Sequence, residues 1–128
     1  MSKKAIVCVV AGLLVPLLWT HIETNLIALL PVPSSHLMWR LTQALVGVAT
    51  AVILVLPVVF LLRPTSLRYG LLFMSGFLVS EIALHLAFGG TVETLLGMFA
   101  LPDPWTFLIS SLAFFWLASP RGGQQHAA

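Results

Sequence analysis

The chain has 128 residues, 59% of them hydrophobic and only 8% charged, with a formal net charge of +2. An ordinary soluble domain is about 25% charged, so a mean hydropathy of +1.06 excludes a water-exposed globule and indicates an integral membrane protein. The basic residues are spread over separate connections rather than gathered in one patch, which argues against a nucleic-acid surface.

A helix needs about 20 residues, rising about 1.5 Å each, to cross about 30 Å of hydrocarbon. Lys3 and Lys4 open a first span expected over residues 5–24. The start MSKKAIVCVVAGLL mimics a signal peptide, but no small-x-small cleavage pattern precedes Trp19, His21 and Glu23, so the span is expected to be retained. Cys8 is the lone cysteine; it excludes an internal disulfide and a cysteine-rich metal site and reads as a small packed hydrophobe. Pro16 removes the bond to the Gly12 carbonyl, so a kink is expected there. Residues 26–30 are expected to lie along the interface before Pro31 and Pro33 stop any helix.

Ser34 or Ser35 caps a second span over residues 36–62, bent by Pro57. Arg63-Pro64-Thr65-Ser66 forms a tight turn, and Thr65 or Ser66 caps a third span over 67–88, ended by Gly89-Gly90. Thr91 caps a short amphipathic helix within 91–100, with Leu95, Leu96, Met98 and Phe99 on its apolar side. Asp103 as cap with Pro104 at the first helical position opens a fourth span over 104–119. That span has about 16 residues, or roughly 24 Å, so residues 91–100 either lie on the interface or dip inward as a re-entrant element. The expected fold is an all-α integral membrane protein: a four-transmembrane-helix bundle forming one domain over 1–119, with a flexible cytoplasmic tail at 120–128. Three spans plus a re-entrant hairpin is the rival arrangement.

Lys3, Lys4, Arg63, Arg68 and Arg121 fall on one side of this scheme, with Arg40 the exception. Glu23, Glu93 and Asp103 lie in or beside the opposite connections, and Glu81 lies in the adjoining half of the third span. Lys and Arg are retained on the cytoplasmic side, so both termini are expected in the cytoplasm of a bacterial inner membrane and the acids toward the periplasm. Trp19, Trp39 and Trp105 fall at the far interface and Tyr69 and Trp116 toward the near one, as an aromatic belt. Gly47/Ala51 and Gly76/Ser80 are small-xxx-small pairs that suit helix packing within the chain or a homodimer equally.

By rise alone Glu81 lies roughly 21 Å from the cytoplasmic edge of its span, and His85 is one turn further on the same face. His21, Glu23, Arg40 and Gln43 come at a similar level, so all six are expected in one layer. Bare charges in lipid cost at least about 2.5–3.5 kcal/mol; Arg40 and Glu81 are therefore expected to face inward, with Arg40 paired to Glu81 or Glu23. His21, His36, His85 and Glu81 could be drawn as a metal site, but no HxxxH or HExxH spacing supports one. Haem between His21 and His85 rests on geometry alone. In a Ser35, His36, Asp103 triad the adjacent Ser and His cannot readily make the nucleophile–base contact. No metal or cofactor is assigned.

Glu23, Glu93 and Asp103, with His36, would present an acidic far face attractive to a basic partner, recognised through loops 24–36 and 89–104. The expected function is thus a small non-enzymatic binding or inhibitory protein, of the immunity type against an envelope-acting bacteriocin or toxin. The length and span number also resemble small homodimeric proton-coupled exporters with an embedded Glu, which would make Glu81 the coupling acid. Those exporters carry the Glu in the first span, where this chain has Val15 and Pro16. Toward the cytoplasm only Thr50, Ser75, Ser80, Ser110 and Ser111 could line a path. The Arg- and Phe-rich signatures of small four-span fluoride channels are missing. A lipid-directed enzyme using Glu81 or His85 lacks an evident nucleophile, and a stabilising subunit of a larger complex would need only the small-residue faces.

Overall fold

The computed structural model describes residues 2–120, so the expectations placed on Arg121 and the tail lie outside the described residues. The described residues fold as α1 (Lys3–Leu29), α2 (His36–Leu54), α3 (Leu56–Leu62), α4 (Leu67–Ala87), α5 (Val92–Phe99) and α6 (Pro102–Leu117).

The Ser2 side chain caps α1 by accepting from the Ala5 amide. The helix then continues through Pro16 and past residue 24, so residues 26–29 extend it instead of lying along an interface. The physical reason is that no breaker intervenes. Asn25 turns its side-chain amide back onto the His21 carbonyl at 2.9 Å, and the first imposed stop is Pro31, which holds Leu30 in an extended conformation (φ −95°, ψ 150°). Ser35 caps α2 through the Met38 amide at 3.2 Å. Pro57 has no N–H to offer Ile53, and the helix breaks at Val55 before resuming as α3. Ser66 stands at the N-cap of α4 without a side-chain cap bond. Thr65 instead donates its hydroxyl to Phe115 O at 2.6 Å and its amide to Ala118 O at 3.3 Å, supplying carbonyls that the end of α6 would otherwise leave orphaned.

Gly89, at φ +86°, ends α4. Its amide reaches Leu86 O and that of Gly90 reaches His85 O, the paired bonds of a Schellman turn. Thr91 and Thr94 form a reciprocal capping box at the start of α5. Asp103 does not cap α6. The cap position is Leu101, Pro102 takes the first helical position that proline favours, and Asp103 lies inside the first turn.

Lys4 Nζ donates to Pro64 O at 2.8 Å, so the start of α1 sits beside the turn that opens α4. The Thr65 bonds bring the end of α6 to the same level. This basic end carries Lys4, Arg63 and Arg68; the opposite, far end carries the end of α1, the start of α2, the end of α4, and α5. α1 lies along α4 and α2 lies along α6, each pair running parallel. α1, α4 and the α2–α3 stretch are each long and apolar enough to cross a membrane; α5 and α6, bent by 65°, make a fourth candidate if they count as one span. α6 itself runs from the far end to the Thr65 turn.

The α1–α4 pair meets backbone to backbone. A Cβ on Gly12 would strike Phe73 O and come 3.0 Å from Phe77 N, and one on Gly76 would come 2.5 Å from Val9 O. Gly47 of α2 is seated equally tightly against the Asp103 carbonyl and Thr106 of α6. The two small-residue pairs therefore serve contacts inside the chain. Around these crossings Cys8, Trp19, Val55, Phe73, Phe77, Phe107 and Phe115 form the core. Trp19, expected in an interfacial belt, is thus a core residue, because it faces Phe77 and Phe107 on the side where α1 meets its neighbours.

Replacing Gly76 by Leu forces the α1 and α4 backbones apart and is expected to cost about 1–3 kcal/mol, the usual range for overpacking. Gly97→Ala on α5, where a Cβ meets nothing, should be neutral or stabilising by up to about 1 kcal/mol. Unfolding of the detergent-solubilised protein with increasing dodecyl sulfate measures both.

Candidate functional site: a carboxyl layer above an aromatic layer

Three helices repeat one arrangement, an aromatic residue with an acid one turn nearer the far end. The pairs are Trp19 and Glu23 on α1, Phe77 and Glu81 on α4, and Phe107 and Asp103 on α6, which runs in the opposite direction. Residues four apart share a helix face, so burying the aromatics together brings the acids together one turn above. Trp19 meets Phe77 edge-on at 5.7 Å between ring centroids and Phe107 at 6.0 Å, and Phe77 lies 5.0 Å from Phe107. These three rings pack against one another beneath the acids.

Above them the Glu23 and Asp103 side chains are within hydrogen-bonding contact, and Glu81 is within electrostatic range of Glu23. α2 contributes Gln43, one turn above the Gly47 that is pressed against the Asp103 backbone. Gln43, Glu81 and Asp103 are buried at 7%, 9% and 5% exposure, while Glu23 is half-buried and gives the layer its outlet. No described N–H or hydroxyl donates to Glu23 Oε2, Gln43 Oε1 or Asp103 Oδ1, and Trp19 Nε1 donates to none of them; the two carboxyls in contact share a proton between themselves. Buried polar atoms are ordinarily paired. Beyond the proton that Glu23 and Asp103 must share, nothing described donates to this level, so it forms a site that a cation or other donor would satisfy. Among the described residues no three His, Cys, Asp or Glu side chains converge closely enough to hold a metal ion.

The layer differs from the sequence expectation in its members. Arg40 does not turn inward to Glu81 or Glu23. It is exposed, and its Nε donates to His36 Nε2 on the same helix at 2.9 Å. Arg40 is only one turn from the start of α2, and a long side chain there can reach the polar boundary while its stem stays on apolar surface. His21 is likewise exposed and bonded to Asn25. Asp103, expected on the surface, is buried because the earlier start of α6 turns it toward α1 and α2. Glu93 remains exposed in the first turn of α5. His85 stands beside the layer; its Nε2 is 2.7 Å from Thr94 Oγ1, tying α4 to α5. Thus Glu23, Gln43, Glu81 and Asp103 come together with His85 at their edge, and His21, His36, Arg40 and Glu93 do not join them. Trp19 is the participant that sequence reasoning set aside.

Toward the basic end the hydroxyls turn back onto helix backbones. Thr50 donates to Val46 O at 2.7 Å, Ser75 to Leu71 O at 2.9 Å and Ser111 to Phe107 O at 2.7 Å. Ser80 crosses to Leu13 O at 2.7 Å. None of these bonds links one hydroxyl to another.

No protein-family model, curated protein or solved structure matches this chain.

With Cys8 replaced by Ala, a cysteine at the exposed position 93 should react readily with a membrane-impermeant maleimide applied to the far side. One at the buried position 103 should react far more slowly. Equal rates would place Asp103 back on the surface.

Proposed function

We propose that this chain is a membrane-embedded, non-enzymatic binding protein whose working end is the far end, where the carboxyl layer receives a cationic group from a partner outside the bundle. The observation that carries the reading is the set of buried acceptors on Glu23, Gln43 and Asp103 that no described N–H or hydroxyl reaches. The exposed Glu93 on the neighbouring α5 adds negative charge at the same end. Such charge steers a basic partner and weakens with salt. The gathering of Lys4, Arg63 and Arg68 at the opposite end supports an orientation with that end in the cytoplasm; in a four-span arrangement in a bacterial inner membrane the carboxyl layer would then face the periplasm. The narrower form of the reading is immunity, with a basic segment of an envelope-acting toxin as the partner. Proton-coupled transport through Glu81 is less well supported. The ring layer of Trp19, Phe77 and Phe107 packs together below the acids, and the hydroxyls beneath it form no chain.

An oligolysine peptide added to the far side of the protein in nanodiscs should bind, and binding should weaken as salt rises. Combining Glu23→Gln with Asp103→Asn should reduce its affinity at least about tenfold, in line with the ~1.5–3 kcal/mol of a hydrogen bond to a charged group. Unchanged affinity in that variant, or equal binding of an oligoglutamate peptide, would overturn the reading. Protection of cells against envelope-acting toxins, lost in the same variant, tests the immunity form.

A further inference from the structure

Glu81 belongs to the carboxyl layer on one side and to a different feature on the other. Between α1 and α4, just beyond the Gly12–Gly76 crossing, lies a groove of about 400 Å³ walled by Pro16, Leu17 and Phe88 and edged by Thr20 and His85, with Glu81 in its lining. Leu17 and Phe88 are strongly exposed, so the groove opens sideways, toward what would be lipid in a membrane. Glu81 is nine-tenths buried and makes no hydrogen bond to any described residue. Among the described residues no Lys or Arg lines the groove; the basic side chain there is His85, which contacts Thr94 and acts electrostatically on Glu81, and the nearby acid on α1 is Glu23.

We propose that this groove binds an amphiphilic ammonium compound that enters from the membrane, its charged head on Glu81 and its hydrocarbon tail along Leu17 and Phe88. The volume suits a small ligand and is too confined for a folded partner. The ammonium supplies the N–H donor that Glu81 lacks, in a charge-assisted bond, and Phe88 offers a ring face to the cation. The walls accept a tail that water would reject. An anionic head would meet Glu81 and Glu23 with only the His85 imidazole to offset them. The head could belong to a membrane lipid with a primary amine or to a free amphiphilic amine. Glu81 is common to the layer, but the groove lies on its α1–α4 side, away from the Glu23, Gln43 and Asp103 acceptors that carry the partner-binding reading.

The test is a titration of the purified chain in dodecyl maltoside with dodecylammonium, using dodecanol as the uncharged control and calorimetry as the readout. Dodecylammonium should bind and dodecanol should not. Glu81→Gln should weaken binding at least about tenfold, as expected for loss of a charge-assisted bond. Leu17→Trp, a change on an exposed wall that leaves the core untouched, should block the groove to the same extent. Glu23→Gln with Asp103→Asn should leave most of the affinity, which separates failure of this site from failure of the partner site. Repeating the titration in phosphatidylglycerol nanodiscs with and without phosphatidylethanolamine assigns the source: competition by phosphatidylethanolamine supports a lipid head as the resident ligand, and its absence supports a free amine. Equal binding of dodecanol, or full affinity in both Glu81→Gln and Leu17→Trp, would overturn the proposal.

Discussion

The close approach of α1 and α4 at Gly12 and Gly76 sets the rotation of both helices, and the polar architecture follows from that rotation. With a Cβ at either position the backbones would have to separate, and the faces now turned inward would lose contact with each other. Once α1 is held by Gly12, Trp19 and Glu23 follow on the same face two and three turns on. Once α4 is held by Gly76, Phe77 and Glu81 fall opposite them. Gly47 does the same for α2 against α6 and places Gln43 and Asp103 at that level. In hydrocarbon, where apolar side chains gain little by leaving lipid for protein, such small-residue contacts and van der Waals fit are what hold helices together.

Acids and base respond differently to that constraint. Carboxylate side chains are short, so once a helix face is committed to the interior, Asp103 and Glu81 go with it. Arg40 is long and stands near the start of its helix, so it reaches outward to His36. The result is a far end whose negative groups are mostly internal and whose Arg is external. A surface-charge description of this end would therefore misjudge it: most of its unpaired acceptors lie inside the bundle, above the aromatic rings, with Glu23 as the exit.

Much of this was legible from the amino-acid order. Span positions, the Pro57 break, the Gly89-Gly90 stop, the Ser35 and Thr91 caps and the short amphipathic helix all follow from local chemistry. So did the level of Glu23, Gln43 and Glu81, which depends only on helical rise. What local chemistry could not supply was helix rotation and the choice between competing start signals. Pro102 and Pro104 both suit a helix start, and choosing the second put Asp103 on the wrong side of the boundary. Depth alone points Trp19 to a belt, whereas its neighbours decide its role. The signal that would have found the layered site was present, namely an aromatic and an acid four residues apart on three separate helices.

The pairing of α1 with α4 and of α2 with α6 has an implication for how the molecule is put together. In chain order the partners alternate, so each pair encloses an element belonging to the other. No contiguous half of the polypeptide contains a complete pair, and a cut at the Pro64 turn would leave two fragments that each lack their principal neighbour. The glycine faces of α1 and α2 are thus covered only by helices of the C-terminal half. The closest backbone contacts of the bundle therefore all join its N-terminal half to its C-terminal half.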